Sequence, residues 1–271
     1  MTMLHLQAVR QPAPVALPAA PSASRGSPVL PDALCNLVIG ALDDVSRLLV
    51  SAGVSANAIT GACIALGAAA GALLSFGYFG LAGAVMIVAS LGDALDGLVA
   101  RRSRTVSVAG ALLDASGDRY QEFFFLGGLA VFFRMMPAAL VATLLAMVGS
   151  FMVSYGSAKA EAFGVPVPPG VMRRAERAVC LCLATVLMVP WSWLVTRTAL
   201  PSWCYELPLL IAISLIAVIG NVSAVRRLWT LGHAVGTGRV VRPIPDAPHR
   251  SDTYLSPEPV RLKVSKRSAR P

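Results

Sequence analysis

Six apolar stretches follow one another between residues 57 and 230, each close to the length a helix needs to cross a membrane. They cover about 57–76, 78–101, 107–133, 136–161, 175–197 and 206–230. A helix rises roughly 1.5 Å per residue, so about 20 apolar residues span the hydrocarbon layer. In lipid each backbone N–H and C=O needs a partner within its own segment, which makes such stretches α-helical. Only 14% of the residues are charged and 56% are hydrophobic, whereas soluble domains carry about 25% charged residues. The expected fold is all-α and polytopic, with six transmembrane helices.

Residues 32–51 set apolar residues at helical spacing around Asp43, Asp44 and Arg47. That pattern predicts an N-terminal amphipathic helix lying in the membrane interface. Residues 1–31 hold six prolines and no acids. They are expected to form a disordered tail, because prolines break each apolar run before it reaches signal-peptide length. The membrane domain is then 32–232, and 233–271 is a second, basic and Pro-rich disordered tail. From Thr237 onward eight Lys or Arg face three acids. With no recognition motif beside this charge, membrane lipid and not nucleic acid is its expected partner. Cys35, Cys63, Cys180, Cys182 and Cys204 show no metal or redox spacing and are expected to be packing residues.

Loop charge gives an orientation. Arg101, Arg102, Arg104, Lys159, Arg173, Arg174, Arg177, Arg226 and Arg227 fall at one end of the spans. The other end holds little more than Arg134 and Arg197. The positive-inside rule then puts both termini and the basic loops in the cytoplasm.

Four aspartates interrupt the second and third spans: Asp93, Asp96, Asp114 and Asp118. Ionisable groups at such depth are costly and face a cavity or a partner. Asp93 and Asp96 are three apart and Asp114 and Asp118 four apart, so each pair shares a helix face. Two antiparallel helices joined near Arg102 to Ser107 bring those faces together. Four carboxylates in one pocket repel unless cations neutralise them, and hard divalent cations that carry phosphates prefer oxygen ligands. A proton-relay transporter also carries intramembrane acids, but that alternative does not account for the interleaved Gly97 and Gly110 or the adjacent arginines.

The string Asp93-Ala-Leu-Asp96-Gly97-Leu-Val-Ala100-Arg101, continued by Gly110, Asp114 and Asp118, resembles the signature of the CDP-alcohol phosphatidyltransferase family at eight fixed positions. The resemblance implies an integral membrane enzyme that moves a phosphatidyl group from a CDP-alcohol, such as CDP-diacylglycerol, to a hydroxyl acceptor with release of CMP. It implies a two-metal site for Mg²⁺ or Mn²⁺ on Asp93, Asp96, Asp114 and Asp118, with Asp118 as the general base. Asp93, Asp96, Gly97, Ala100, Arg101 and Gly110 would line the CDP site. Asn57 and Thr60, in Asn57-Ala-Ile-Thr60, resemble the family's usual entry to the first span. Asn57 either binds nucleotide or caps its helix. A homodimer is carried over on the same basis.

The stretch from Ser154 to Glu161, then Gly170 and Arg173-Arg174-Ala175-Glu176-Arg177, resembles phosphatidylinositol-phosphate synthases. So does Ser223-Ala-Val-Arg226-Arg227 in the last span. That resemblance makes Lys159, Arg174 and Arg227 the candidates to hold the phosphate of an acceptor such as inositol phosphate. Those synthases commonly have lysine where this chain has Ser157, which leaves glycerol 3-phosphate, and so phosphatidylglycerol-phosphate synthesis, as the alternative. A non-catalytic polytopic protein is the reading from another class.

Overall fold

The computed structural model describes residues 32–165, 172–198, 200–201 and 204–237, with side chains from Gly40 onward. Seven long helices occur in chain order: α1 (Asp32–Ser51), α2 (Ala56–Ser75), α3 (Phe79–Arg102), α4 (Val108–Phe132), α5 (Pro137–Phe163), α6 (Arg174–Arg197) and α7 (Leu207–Gly236). The six expected spans correspond to α2 through α7. α7 continues beyond residue 232, so the residues after it up to Gly236 belong to the helix and not to the tail. The N-terminal tail, most of the C-terminal tail and Gly170 lie outside the described residues.

Five helices, α2, α3, α5, α6 and α7, are long and apolar enough to cross a membrane. α4 falls short of that mark because Asp114, Asp118, Arg119 and Glu122 interrupt its apolar run. Those same side chains build the candidate site.

Helix ends follow local chemistry. The Ser55 hydroxyl accepts from Ala58 N–H at 3.3 Å and starts α2. Ser107 does the same for Gly110 N–H at 3.0 Å and starts α4. Such caps satisfy backbone donors that have no partner inside the helix. α5 ends where Gly164 adopts φ 64°, which lets Val165 N–H reach back to Ala160 C=O at 2.9 Å.

Small residues decide the packing. α2 lies against both α3 and α4, whereas α3 and α4 make almost no direct helix–helix contact. The expected pairing of α3 directly on α4 is thus corrected: the small-residue face of α2 wedges between them. A Cβ on Gly71 or on Gly128 would collide with the backbone carbonyl of the opposite helix, Phe124 or Gly71 respectively. Only glycine allows α2 and α4 this approach. α5 and α7 close the other side of the bundle, where Asn221 Nδ2 donates to Leu145 C=O across the interface at 2.8 Å.

α1 packs on α3, as suits an interfacial helix at the end of the bundle. Asp43 accepts from Arg102 at the end of α3 and from Arg47 one turn on. The Arg102 guanidinium beside Asp43 holds its carboxyl below the usual carboxylate range. Leu49, Val50 and Val54 cover Ile59, Cys63 and Val99. Cys63, Cys180, Cys182 and Cys204 are free thiols.

Candidate active site

The basic end of the bundle gathers the C-terminal ends of α3, α5 and α7 and the N-terminal ends of α2, α4 and α6. Asp93 on α3 and Asp114 and Asp118 on α4 each present one carboxylate oxygen within 4.8 Å of the others. The helical spacing of Asp114 and Asp118 delivers both to this point, one turn apart on one face. Asp96 does not join this group. Three residues further along α3 its direction is rotated by about 60° from Asp93, and it accepts from Thr60 Oγ1 on α2 at 2.6 Å. It is 4% exposed. The sequence expectation of four converging carboxylates thus becomes three together and one turned to α2.

Two cationic or polar groups brace the cluster. Arg174 Nη2, at the start of α6, lies 2.6 Å from Asp93 Oδ2 and 2.6 Å from Asp118 Oδ1. Neither approach has hydrogen-bond alignment, and Asp118 Oδ1 is buried without a hydrogen-bond partner. The contact is therefore one of charge, and it leaves the oxygen's lone pairs uncommitted. Gln121 Nε2 donates to Asp93 Oδ1 at 3.3 Å. Clustered carboxylate oxygens, one of them an orphan, fit a hard divalent cation such as Mg²⁺ or Mn²⁺.

The residues expected to hold CDP sit on neighbouring turns. Gly97 leaves room for Arg101 to fold back along α3, since a Cβ there would stand 3.3 Å from Arg101 Nη1. Ala100 is half-buried beside them. A Cβ on Gly110 would lie 3.7 Å from Asn57 Oδ1, so the first turns of α4 and α2 meet there. Asn57 is exposed in the first turn of α2, and the cap is Ser55. The capping role considered for Asn57 is thereby removed. Thr60 is buried, occupied by Asp96 and by Ala56 C=O.

Beside the cluster lies a cleft of about 510 Å³, lined by Asp118, Arg119, Glu122, Ser157 and four arginines: Arg173, Arg174, Arg177 and Arg227. Arg227 donates to Ser157 Oγ, so the serine that replaces the relatives' lysine orients a cation in this chain. Lys159 stands elsewhere. It is exposed, with its ammonium 5.6 Å from the centre of the Tyr155 ring, and it does not line the cleft. Gln121 and Glu122 were not anticipated from sequence. Their signal was present, since a glutamate four residues after Asp118 inside an apolar helix is itself an intramembrane acid.

A sequence profile described as CDP-alcohol phosphatidyltransferase matches residues 54–226. Phosphatidylinositol phosphate synthase of Mycobacterium marinum is 34% identical over 163 residues, covering 59% of this chain and 64% of that protein. The match thus spans just under two thirds of that relative's length. Archaetidylinositol phosphate synthase of Pyrococcus horikoshii is 32% identical over 155 residues, 54% of this chain and 76% of its own. Among solved structures, Mycobacterium tuberculosis phosphatidylinositol phosphate synthase with CDP-DAG bound superposes with a TM-score of 0.60 at 26% identity. That match covers 70% of this chain and 92% of the other. The same enzyme in complex with manganese and citrate gives a TM-score of 0.61 at 26% identity, over 70% of this chain and 88% of the other.

Proposed function

This chain belongs to the CDP-alcohol phosphatidyltransferase family, and we propose that it transfers a phosphatidyl group from CDP-diacylglycerol to a phosphate-bearing sugar alcohol, releasing CMP. The observation that carries this reading is the double membership of Asp118, which belongs both to the carboxylate cluster and to the arginine-lined cleft. One side chain thereby touches the place for a pyrophosphate and the place for an acceptor.

Asp93, Asp114 and Asp118 hold the divalent cations, and Asp96 completes the set from its Thr60-bound position. Bound there, such cations neutralise the pyrophosphate oxygens and ease departure of the leaving group. Arg101, Asn57 and the glycines Gly97 and Gly110 hold the nucleotide close to the helix backbones. Arg174, Arg227 and Arg173 hold the acceptor's phosphate by paired donors and fix its hydroxyl toward Asp118. Asp118 takes the hydroxyl proton as the oxygen attacks the phosphorus bonded to the lipid alcohol. That P–O bond forms as the bond to CMP breaks.

The relatives named as inositol phosphate synthases support inositol phosphate as the acceptor. Glycerol 3-phosphate presents the same phosphate and hydroxyl chemistry. The positive ends of the helices favour a cytoplasmic-membrane enzyme with its site and termini facing the cytoplasm. The test uses purified protein, CDP-diacylglycerol, Mn²⁺ or Mg²⁺ and a panel of acceptors, reading CMP release. Metal-dependent release with inositol phosphate is expected. Release with no acceptor in the panel would defeat the transferase reading.

A further inference from the structure

Arg177 lines the same cleft as Arg174 and Arg227, yet its charge is spent. It is 1% exposed. Nε donates to Glu122 Oε1 at 2.5 Å and Nη2 donates to Glu122 Oε2 at 3.0 Å. Paired donors to one carboxylate in a dry setting hold a fixed geometry. The remaining nitrogen, Nη1, donates to Met172 C=O at 2.7 Å.

Met172 is an unusual anchor. Its φ is 61°, in the left-handed region that a residue with a Cβ rarely adopts. Such backbone persists where its surroundings hold it. The next residue, Arg173, donates its N–H to Glu176 at 3.0 Å, and α6 begins at Arg174. One buried guanidinium therefore ties α4, one turn beyond Asp118, to the strained turn that launches α6. Arg173 and Arg174 leave from that turn toward the cleft.

We propose that Glu122 and Arg177 are a positioning pair for acceptor binding: they set the start of α6 so that Arg173 and Arg174 meet the acceptor's phosphate. Neither touches the reacting atoms. This role rests on the transferase reading above, and it is specific to the acceptor side, because the residues assigned to CDP lie on α2, α3 and the first turn of α4.

Removing one partner alone strands a buried charge and threatens the fold. The informative variant therefore changes both, Glu122→Gln with Arg177→Met, which removes the charges and leaves the Met172 carbonyl without its donor. Arg177→Lys is the second variant. It keeps the charge beside Glu122, but a single ammonium cannot reach both sides. Initial rates of CMP release are measured against CDP-diacylglycerol and, separately, against inositol 1-phosphate and glycerol 3-phosphate, with thermal midpoints in detergent as a check on folding. In the paired variant KM for the acceptor rises about tenfold or more while KM for CDP-diacylglycerol stays within about twofold. Arg177→Lys falls between this and the unchanged protein. If the paired variant does not fold, the same split is required of Arg177→Lys alone. Equal rises in both KM values, a loss confined to kcat, or no change overturns the pair's role. Unchanged protein that releases no CMP with any acceptor overturns the transferase reading itself, a separate and recognisable result.

Discussion

Arg174 reaches from α6 to within 2.6 Å of Asp118 on α4, so a cation from the acceptor side contacts the carboxylate assigned as base. Because the same nitrogen also stands 2.6 Å from Asp93, it competes for oxygens that a divalent cation uses. Arg174→Gln is expected to tighten Mn²⁺ binding at least about tenfold, the effect of one nearby unit charge. Arg227→Gln, which removes a charge from the cleft without contacting the cluster, should move it far less. Electron paramagnetic resonance of free Mn²⁺ reads both. Weaker Mn²⁺ binding in Arg174→Gln would contradict the competition.

Asp118→Asn keeps the shape of the side chain and removes its ability to take a proton. CMP release should fall by roughly 10²–10⁴, the usual contribution of a positioned base. The thermal midpoint should hold, since Asp118 Oδ1 makes no hydrogen bond. Near-normal turnover would refute the base assignment.

Chelation with EDTA should silence the enzyme, and added Mn²⁺ or Mg²⁺ should restore it. Three carboxylates within reach of one another in a membrane helix pair need a cation to orient a doubly charged pyrophosphate between them. Turnover that persists in EDTA, measured as CMP release, speaks against this assignment.

Asn57 and Ser55 separate binding from capping. Ser55→Ala removes the cap on α2 and should cost about 1 kcal/mol of stability with KM for CDP-diacylglycerol unchanged. Asn57→Ala should do the reverse, raising that KM while the melting curve stays in place. A stability loss at Asn57 equal to that at Ser55 would return Asn57 to a structural role.

Gly128→Ala tests the contact between α2 and α4. The added Cβ would meet the Gly71 carbonyl, and overpacking of this kind costs about 1–3 kcal/mol. At Gly127 an added Cβ meets nothing within 4 Å, so Gly127→Ala is the control. Thermal midpoints in detergent that match for the two variants would show that the helices do not approach as described.

Apolar runs of membrane-spanning length, Ser55 and Ser107 at the right offsets, and the spacing of Asp114 and Asp118 were enough to place the helices and much of the site. These signals are local: periodicity, cap chemistry and hydrocarbon thickness act within a few turns of one segment. Which helix lies beside which was decided elsewhere. Gly71 and Gly128 let α2 sit between α3 and α4, and that separation turns Asp96 to Thr60 instead of into the cluster. The pairing of Glu122 with Arg177 and the reach of Arg174 to Asp118 join residues 55 or more positions apart. Lys159 shows the limit from the other side, for its sequence context matched the relatives while its side chain turned to Tyr155 and away from the cleft. Side-chain partners across helices depend on rotation and crossing, and no single segment's pattern encodes those.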